Sequence, residues 1–449
     1  MASLWGEEFT LNDNTHKVID KVKKPIAAKT KRKALDPDLE IEQRLSAISL
    51  EVNRVLGSFK NDTKVIYDID EFSSYIDASI NNGYIAIDTE TNNSLDPLTC
   101  LIMGLCIYTP GEKNVYIPVH HINRKTKELL ENQITENQIK EQLQRLLEND
   151  VKIIMHNGKF DYQVIKCTCD IELPIYWDTM IGARILNENE RAGLKEQYRT
   201  KIDSSIEKYD IEHLFDKLPY EVVDPELFAL YAATDAKETY ELFKYQYKLF
   251  SKPENSNLYS LFMTVEMPCV VVIAEMELAG VCIDFEYSKR LSNKYHKLLD
   301  KCNAEIAQEL HKFDNKVNAW KLTDDANKKP PKKTGEGFGK SKLEQLEDPI
   351  NISSPTQLAI FFYDILGIES VDKKSPRGTG EEILIKINEN HPELKICKLI
   401  LENRGLLKLI NTYIDKLPEC VSTKDNRLHA HFNQIGADTG RMSSSDPNL

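Results

Sequence analysis

The sequence predicts an α/β domain followed by a mainly helical region. Three observations carry this reading. Tyr84-Ile85-Ala86-Ile87 is an apolar run that leads into Asp88-Thr89-Glu90-Thr91, with Asn-Asn-Gly before it and Asn-Asn-Ser after it, as suits a central strand. Around it, between Thr63 and Met155, short apolar runs of strand length give way to a helical pattern and then to a second buried strand. Farther on, a long helix is expected from Lys289 to Lys312.

Length and composition set the frame. The 449 residues allow two or three domains, and a hydrophobic fraction of 41% allows sizeable cores. No run of some eighteen apolar residues is present, so no membrane span is expected. Met1 to Phe9 carries Glu7 and Glu8 and lacks a signal-peptide pattern. The nine cysteines include no CxxC pair, and Cys167-x-Cys169 is too tight for a zinc knuckle. Reduced thiols inside a cell are therefore expected. The formal charge of −13 does not exclude a nucleic-acid binder, because binding depends on local patches and carboxylates gathered for metals add negative charge.

In chain order, residues 1 to about 35 hold a basic run from Lys17 to Lys33 with few apolar residues. It reads either as a solvated tail or as an arm that touches DNA or a partner. Asp36-Pro37 then opens a helix, with Asp36 as cap and Pro37 in the first turn. Ile41, Leu45, Ile48, Val52 and Leu56 recur at helical spacing, and Gly57 stops it. That stripe is expected to pack against the next domain. Strands are predicted at Val65 to Tyr67, Tyr84 to Ile87, Leu101 to Tyr108 and Asn114 to Val119, with a Pro110-Gly111 turn between the last two. A helix carrying Ile134, Ile139, Leu143, Leu146 and Leu147 follows. The strand Val151 to Met155 then runs into His156-Asn157-Gly158-Lys159-Phe160-Asp161. Antiparallel strands, then helix, then strand suggest an α/β sheet of the ribonuclease H-like kind.

In such sheets the chemistry sits at the carboxyl ends of the strands, and Asp88, Glu90 and Asp161 fall at or just past such ends. Residues two apart on a strand share a face, so Asp88 and Glu90 project together. Two carboxylates side by side repel unless a cation lies between them, and an all-oxygen pair suits Mg²⁺ or Mn²⁺ better than zinc. Asp224-Pro225 starts a helix that places Tyr231 and Asp235 four apart on one face, where a phenol could hold a water beside a metal. Taken singly, each pattern also fits a solvated turn or a surface pair.

Together and in this order, Asp88-x-Glu90, Asn157-x-x-Phe160-Asp161 and Tyr231-x-x-x-Asp235 resemble the motifs of the DEDDy 3′→5′ exonucleases. The neighbouring Tyr116-Ile117-Pro118-Val119, Asp178-Thr179-Met180 and Ala232-Ala233-Thr234 are similar to the proofreading domain of the family A DNA polymerases of bacteria and phages. The resemblance runs on through Val265-Glu266-Met267-Pro268, Glu277 to Asp284, Asn351-Ile352-Ser353-Ser354-Pro355, Thr379-Gly380-Glu381-Glu382 and Asn403 to Leu409. It continues through Thr412 to Pro418, Phe432-Asn433-Gln434 and Thr439-Gly440-Arg441 to Asn448-Leu449. It covers roughly Val65 to Leu449.

The resemblance implies a chain laid out as an extension over 1–62, an exonuclease domain over 63–250 and the start of a polymerase domain over 251–449. That last part is a thumb with a basic insertion at about 313–349. Asp88, Glu90, Asp161 and Asp235 are then the ligands of two Mg²⁺ or Mn²⁺ ions, with Tyr231 and Glu90 orienting the attacking water. Asn157 and Phe160 shape the strand groove, although Phe160 could equally fill the core. Arg404, Lys408, Gln434, Arg441 and Asn448 are expected to approach DNA. The insertion, with Lys328-Lys329-Pro330-Pro331-Lys332-Lys333, reads as a solvated loop, a further phosphate grip or a docking site for a processivity partner. In the family, the Pro-Asn-Leu segment runs on into palm and fingers, so the resemblance implies either half of a split polymerase, with a second chain carrying them as the partner for nucleotide addition, or a truncated or interrupted gene product. The roughly sixty residues before the exonuclease are too few for a 5′-nuclease domain. The implied location is the cytoplasm of a bacterium or phage-infected host. Two rival readings are a free-standing DEDDy exonuclease of the RNA-processing type and a non-catalytic DNA-binding or assembly subunit. The residues after Glu266 argue against the first, and the intact carboxylates against the second.

Overall fold

The computed structural model describes residues 41–449 except 93, 124, 205–217, 332–338 and 438. The basic run before Lys33, the Asp36-Pro37 helix start and part of the basic insertion lie outside the described residues.

The first region is a six-stranded sheet. Its strands are β1 (Thr63–Val65), β2 (Tyr84–Thr91), β3 (Ile102–Tyr108), β4 (Asn114–Pro118), β5 (Lys152–Met155) and β6 (Trp177–Asp178), in the order β1-β4-β3-β2-β5-β6. β2, β3 and β4 pair antiparallel, while β5 runs parallel to both β2 and β6. The β2 pattern explains its central place, because Ile85, Ala86 and Ile87 are all buried. β2 continues to Thr91 because β3 stays paired with it, with a register shift between Glu90 and Thr91. Its parallel pairing with β5 ends earlier, at Ala86 opposite Ile154. Asp88 therefore lies within β2, just beyond the point where the parallel seam opens, rather than at a strand end.

Helices cover the sheet. α1 (Ile41–Leu56) buries Ile48, Val52 and Leu56 in the same core as the strands. α2 (Ile69–Asn82) is capped by Asp68, which accepts from the backbone of Asp70 and Glu71, and it ends on Gly83 at φ 71°. α3 (Glu136–Glu148) starts with a capping box of Thr135 and Gln138; Ile134, just before that cap, is buried. α4 (Gly158–Cys169), α5 (Thr179–Leu186), α6 (Leu194–Lys201), α7 (Pro225–Ala232) and α8 (Thr234–Phe250) complete the domain. Trp177 anchors β6 in a cluster of aromatic rings from Phe243, Tyr247, Phe250 and Phe262, and its Nε1 donates to Gln246 at 2.9 Å.

The rest is mainly helical. α9 (Met267–Ala279) packs on α4, burying Met267, Val270 and Ala274 in the first core. The long α10 (Phe285–His311), α11 (Glu381–Asn390) and α12 (Lys395–Leu409) build a second core around Leu299, Ile306, Phe361, Leu384 and Ile400. Short strands at His431–Asn433 and Ser443–Ser445 pair near the end. No described helix is long and apolar enough to cross a membrane.

Candidate active site

Three elements bring the acidic residues together. Asp88 and Glu90 alternate with buried Thr89 and Thr91 on β2, so both point to one face. Asp161 lies in the first turn of α4, buried at 4% exposure. Thr89 turns toward it: the Thr89 backbone N–H donates to Asp161 Oδ1 at 2.8 Å and the Thr89 hydroxyl at 2.7 Å. Asp235 lies at the start of α8.

The turn into α4 is built for this placement. Asn157 stands at φ 59°, a conformation asparagine tolerates. Gly158 is required, because a Cβ there would lie 2.5 Å from Met155 Cβ. Asp178 clamps both: its carboxylate accepts from the N–H groups of Asn157 (3.2 Å), Gly158 (2.8 Å), Met180 (2.8 Å) and Ile181 (3.2 Å). One buried side chain thus fixes the start of α4 and caps α5.

The electrostatics follow from crowding. Burial raises the Asp88 carboxyl well above the usual range, and the Asp161, Glu90 and Asp235 carboxylates push it further. Burial also raises Asp161, against the opposing Thr89 hydrogen bonds, to about 7. Carboxylate oxygens of Asp88 and Glu90 and the Sγ of Cys106 all lie within 4.8 Å of one another. Cys106 sits directly opposite Asp88 on β3, and burial raises its thiol, which keeps it protonated and a poor ligand. The donor set that remains is all oxygen and carries more negative charge than it can hold alone. It fits an oxygen-preferring divalent cation.

Tyr231 lies in the last turn of α7 and Asp235 in the first turn of α8. Ala233 between them keeps right-handed helical dihedrals (φ −64°, ψ −22°) and donates to the Ala229 carbonyl, and the Thr234 hydroxyl donates to the Tyr231 carbonyl at 3.2 Å. Tyr231 packs edge-on against Phe228. Phe160 is partly buried against the first core, while Asn157 is exposed. In the second region, Lys408, Arg441 and Asn448 are exposed. Arg404 instead donates to the Thr379 carbonyl at 2.6 Å, and Gln434 donates to the Glu266 carboxylate at 2.5 Å, so both are held within the fold.

Four residues near the site escaped the sequence reading. Lys195, on α6, pairs with Asp235 and, at 3.2 Å, with Glu238. Glu238 is one turn beyond Asp235 and could have been found from that spacing. Burial raises it to about 7, the Lys195 charge opposing. Cys106 and Lys195 carry no sequence signal, since strand register and a distant helix place them. His156, left without a role, faces Thr179 Oγ1 at 2.8 Å and is lowered by burial to about 3, which keeps it neutral.

Comparison with known proteins bears on this arrangement. Residues 63–248 match the family model of a 3′-5′ exonuclease, and residues 328–449 that of DNA polymerase family A. DNA polymerase I of Borreliella burgdorferi is 28% identical over 387 residues, covering 84% of this chain and 36% of the relative. DNA polymerase I of Synechocystis is 30% identical over 391 residues, covering 85% and 34%. The thermostable DNA polymerase I of Thermus aquaticus is 33% identical over 192 residues, covering 42% and 18%. Where the match runs through both regions, the chain spans little more than a third of the relatives' length. Among solved structures, the POL domain of Pol1 from M. smegmatis, in complex with DNA primer-template and dNTP, aligns with a TM-score of 0.61 at 17% identity. That alignment covers 86% of this chain and 55% of the other, a likeness of fold.

Proposed function

Because the chain is a DNA polymerase I-like protein of family A, in which a 3′-5′ exonuclease domain precedes part of a polymerase domain, we propose that it hydrolyses DNA from the 3′ end in a proofreading role. The observation that carries this is the convergence of Asp88, Glu90, Asp161 and Asp235, each near enough to Asp88 to raise its carboxyl. These four carboxylates would hold two Mg²⁺ or Mn²⁺ ions. Bound there, the ions would supply a nucleophilic water and neutralise charge on the phosphate and leaving oxygen. The residues contribute the rest. Thr89 fixes Asp161 through two hydrogen bonds, and Asp178 fixes the helix that carries it. Tyr231 and Glu90 would orient the attacking water. Asn157, which is exposed, and Phe160, which is partly buried, would flank the terminal nucleotide.

Lys408, Arg441 and Asn448 are proposed as DNA contacts of the second region, since they are exposed and carry donors that suit phosphates and base edges. Arg404 and Gln434 would serve there only after giving up their present partners. The basic insertion is proposed as a further DNA grip or a docking site for a processivity factor. Nucleotide addition is proposed to need polymerase segments outside these 449 residues, on this chain or on another.

The test is a gel assay on 5′-labelled single-stranded DNA with Mg²⁺ or EDTA. Shortening from the 3′ end in Mg²⁺ and its loss in EDTA are expected. A soluble, folded chain that leaves the DNA intact in Mg²⁺ would overturn the reading.

A further inference from the structure

We propose that Lys195 is a further substrate-binding residue of this site, holding the phosphate of the 3′-terminal nucleotide from a seat on Glu238. The inference rests on the exonuclease reading and extends it to a residue outside the four-carboxylate set.

Lys195 comes from α6, which carries none of those carboxylates, yet its ammonium pairs with Asp235 and at 3.2 Å with Glu238. The two acids occupy successive turns of α8 and differ in depth. The side chain of Asp235 is 25% exposed, that of Glu238 only 8%, and that of Lys195 42%. The lysine therefore spans from a buried carboxylate below to the open site above. The buried Oε2 of Glu238 has no hydrogen-bond partner beyond this ion pair. A lone buried carboxylate is costly beside four others, and Lys195 offsets that cost. A divalent ion held by Asp235 would compete with the ammonium for that carboxylate. Glu238 then keeps it close instead of releasing it to solvent. There it faces the entering phosphodiester as a compact, strongly charged donor. His156, near enough to Lys195 to feel its charge, is neutral and cannot take that part.

The contact with Asp235 and the contact with phosphate predict effects of opposite sign. Lys195→Gln removes a competitor for Asp235, so the metal should bind more tightly to the DNA-free protein, by about threefold or more in Mn²⁺ titration followed by electron paramagnetic resonance. The same variant should lose about 10²-fold in 3′→5′ hydrolysis, mainly through a higher KM, as expected when one charged donor to the reacting group is removed. Lys195→Arg should recover part of the loss. Glu238→Gln should lower hydrolysis without tightening Mn²⁺, because the lysine loses its seat. Thermal midpoints within about 2–3 °C of wild type would show that the variants fold. Hydrolysis and Mn²⁺ affinity within twofold of wild type in Lys195→Gln would overturn this proposal alone. A wild-type chain that binds Mn²⁺ but leaves DNA intact would overturn the exonuclease reading and this proposal with it.

Discussion

Lys159 Nζ, two residues before Asp161 on α4, donates to the Glu277 carboxylate on α9 at 2.5 Å. Glu277 is 4% exposed and also accepts from Gln163 at 2.8 Å and from the Phe432 backbone at 2.5 Å. Lys159 in turn donates to the Phe432 carbonyl at 2.7 Å. One buried carboxylate thus joins α4, which carries Asp161, to α9 and to the strand His431–Asn433 near the end of the chain.

This junction sets an acid limb of stability. Burial would raise Glu277, but the His431 ring, its Nδ1 3.8 Å away, and hydrogen bonds from Lys159, Phe432 and Gln163 outweigh it and hold the group at about 2. Its folded value lies below its unfolded one, so its contribution is present above about pH 4.5 and is lost as pH falls through about 2. The shift corresponds to on the order of 3 kcal/mol. Glu277→Gln should cost about that much at pH 7 and flatten the loss of stability between pH 4.5 and 2, as read by urea unfolding. An unchanged pH profile would show that another group governs the acid limb.

The raised carboxyls of the site act in the opposite sense. Asp161 is protonated more readily folded than unfolded, so its contribution is complete below its unfolded value of about 4 and is lost as pH rises through about 7. Metal-free protein should therefore lose stability between pH 5 and 8, and the rise in melting temperature on adding Mg²⁺ should be larger at pH 8 than at pH 5.5. Equal Mg²⁺ effects at both pH values would contradict the crowding argument.

Asp88→Ala with Glu90→Ala should reduce 3′→5′ degradation by more than ~10³-fold, on the scale of losing preorganised charge stabilisation. It should raise the metal-free melting temperature, because it removes the burial of the Asp88 carboxyl and the repulsion from its neighbours that together lift it. Calorimetry of the metal-free double mutant and the labelled-DNA assay read the two effects separately. Full degradation by the soluble double mutant would remove these residues from the reaction.

Gly158→Ala should cost about 1–3 kcal/mol, since its Cβ meets the backbone-proximal Met155 Cβ rather than a flexible tip. The start of α4 should shift with it, lowering cleavage as well as stability. Stability equal to wild type in chemical unfolding would show that Met155 can move aside.

Deleting Asn327 to Ser341 should weaken primer-template binding, more at 50 mM than at 200 mM salt, and flatten its salt dependence if phosphates are gripped there. Ser341 is buried and its N–H bonds Glu344 at 2.8 Å, so the deletion needs a short polar bridge at its C-terminal side. Unchanged binding at low salt would favour a solvated loop.

What the sequence revealed divides along physical lines. β2 and its paired carboxylates were legible because alternation is local: Asp88 and Glu90 must share a face wherever the strand lies. The α1 stripe was legible for the same reason, and Ile48, Val52 and Leu56 are all buried. The bond from the Thr234 hydroxyl to the Tyr231 carbonyl was not, because a helical threonine has more than one acceptor within reach. Asp178 was visible only as part of a family pattern, since its four backbone donors come from two segments that meet only in the fold. The internal bonds of Arg404 and Gln434 were hidden likewise, because Thr379 and Glu266 are distant in sequence.

β2 has a neighbour on each side, antiparallel β3 and parallel β5, and none of its central amides faces an open sheet edge. Hydrogen exchange at Ala86, where both pairings hold, requires the sheet itself to part. The backbone leading into the carboxylates thus belongs to the most protected cooperative unit of the domain. Loss of cleavage on heating should coincide with loss of the fold, with no populated state that is folded but cleavage-dead.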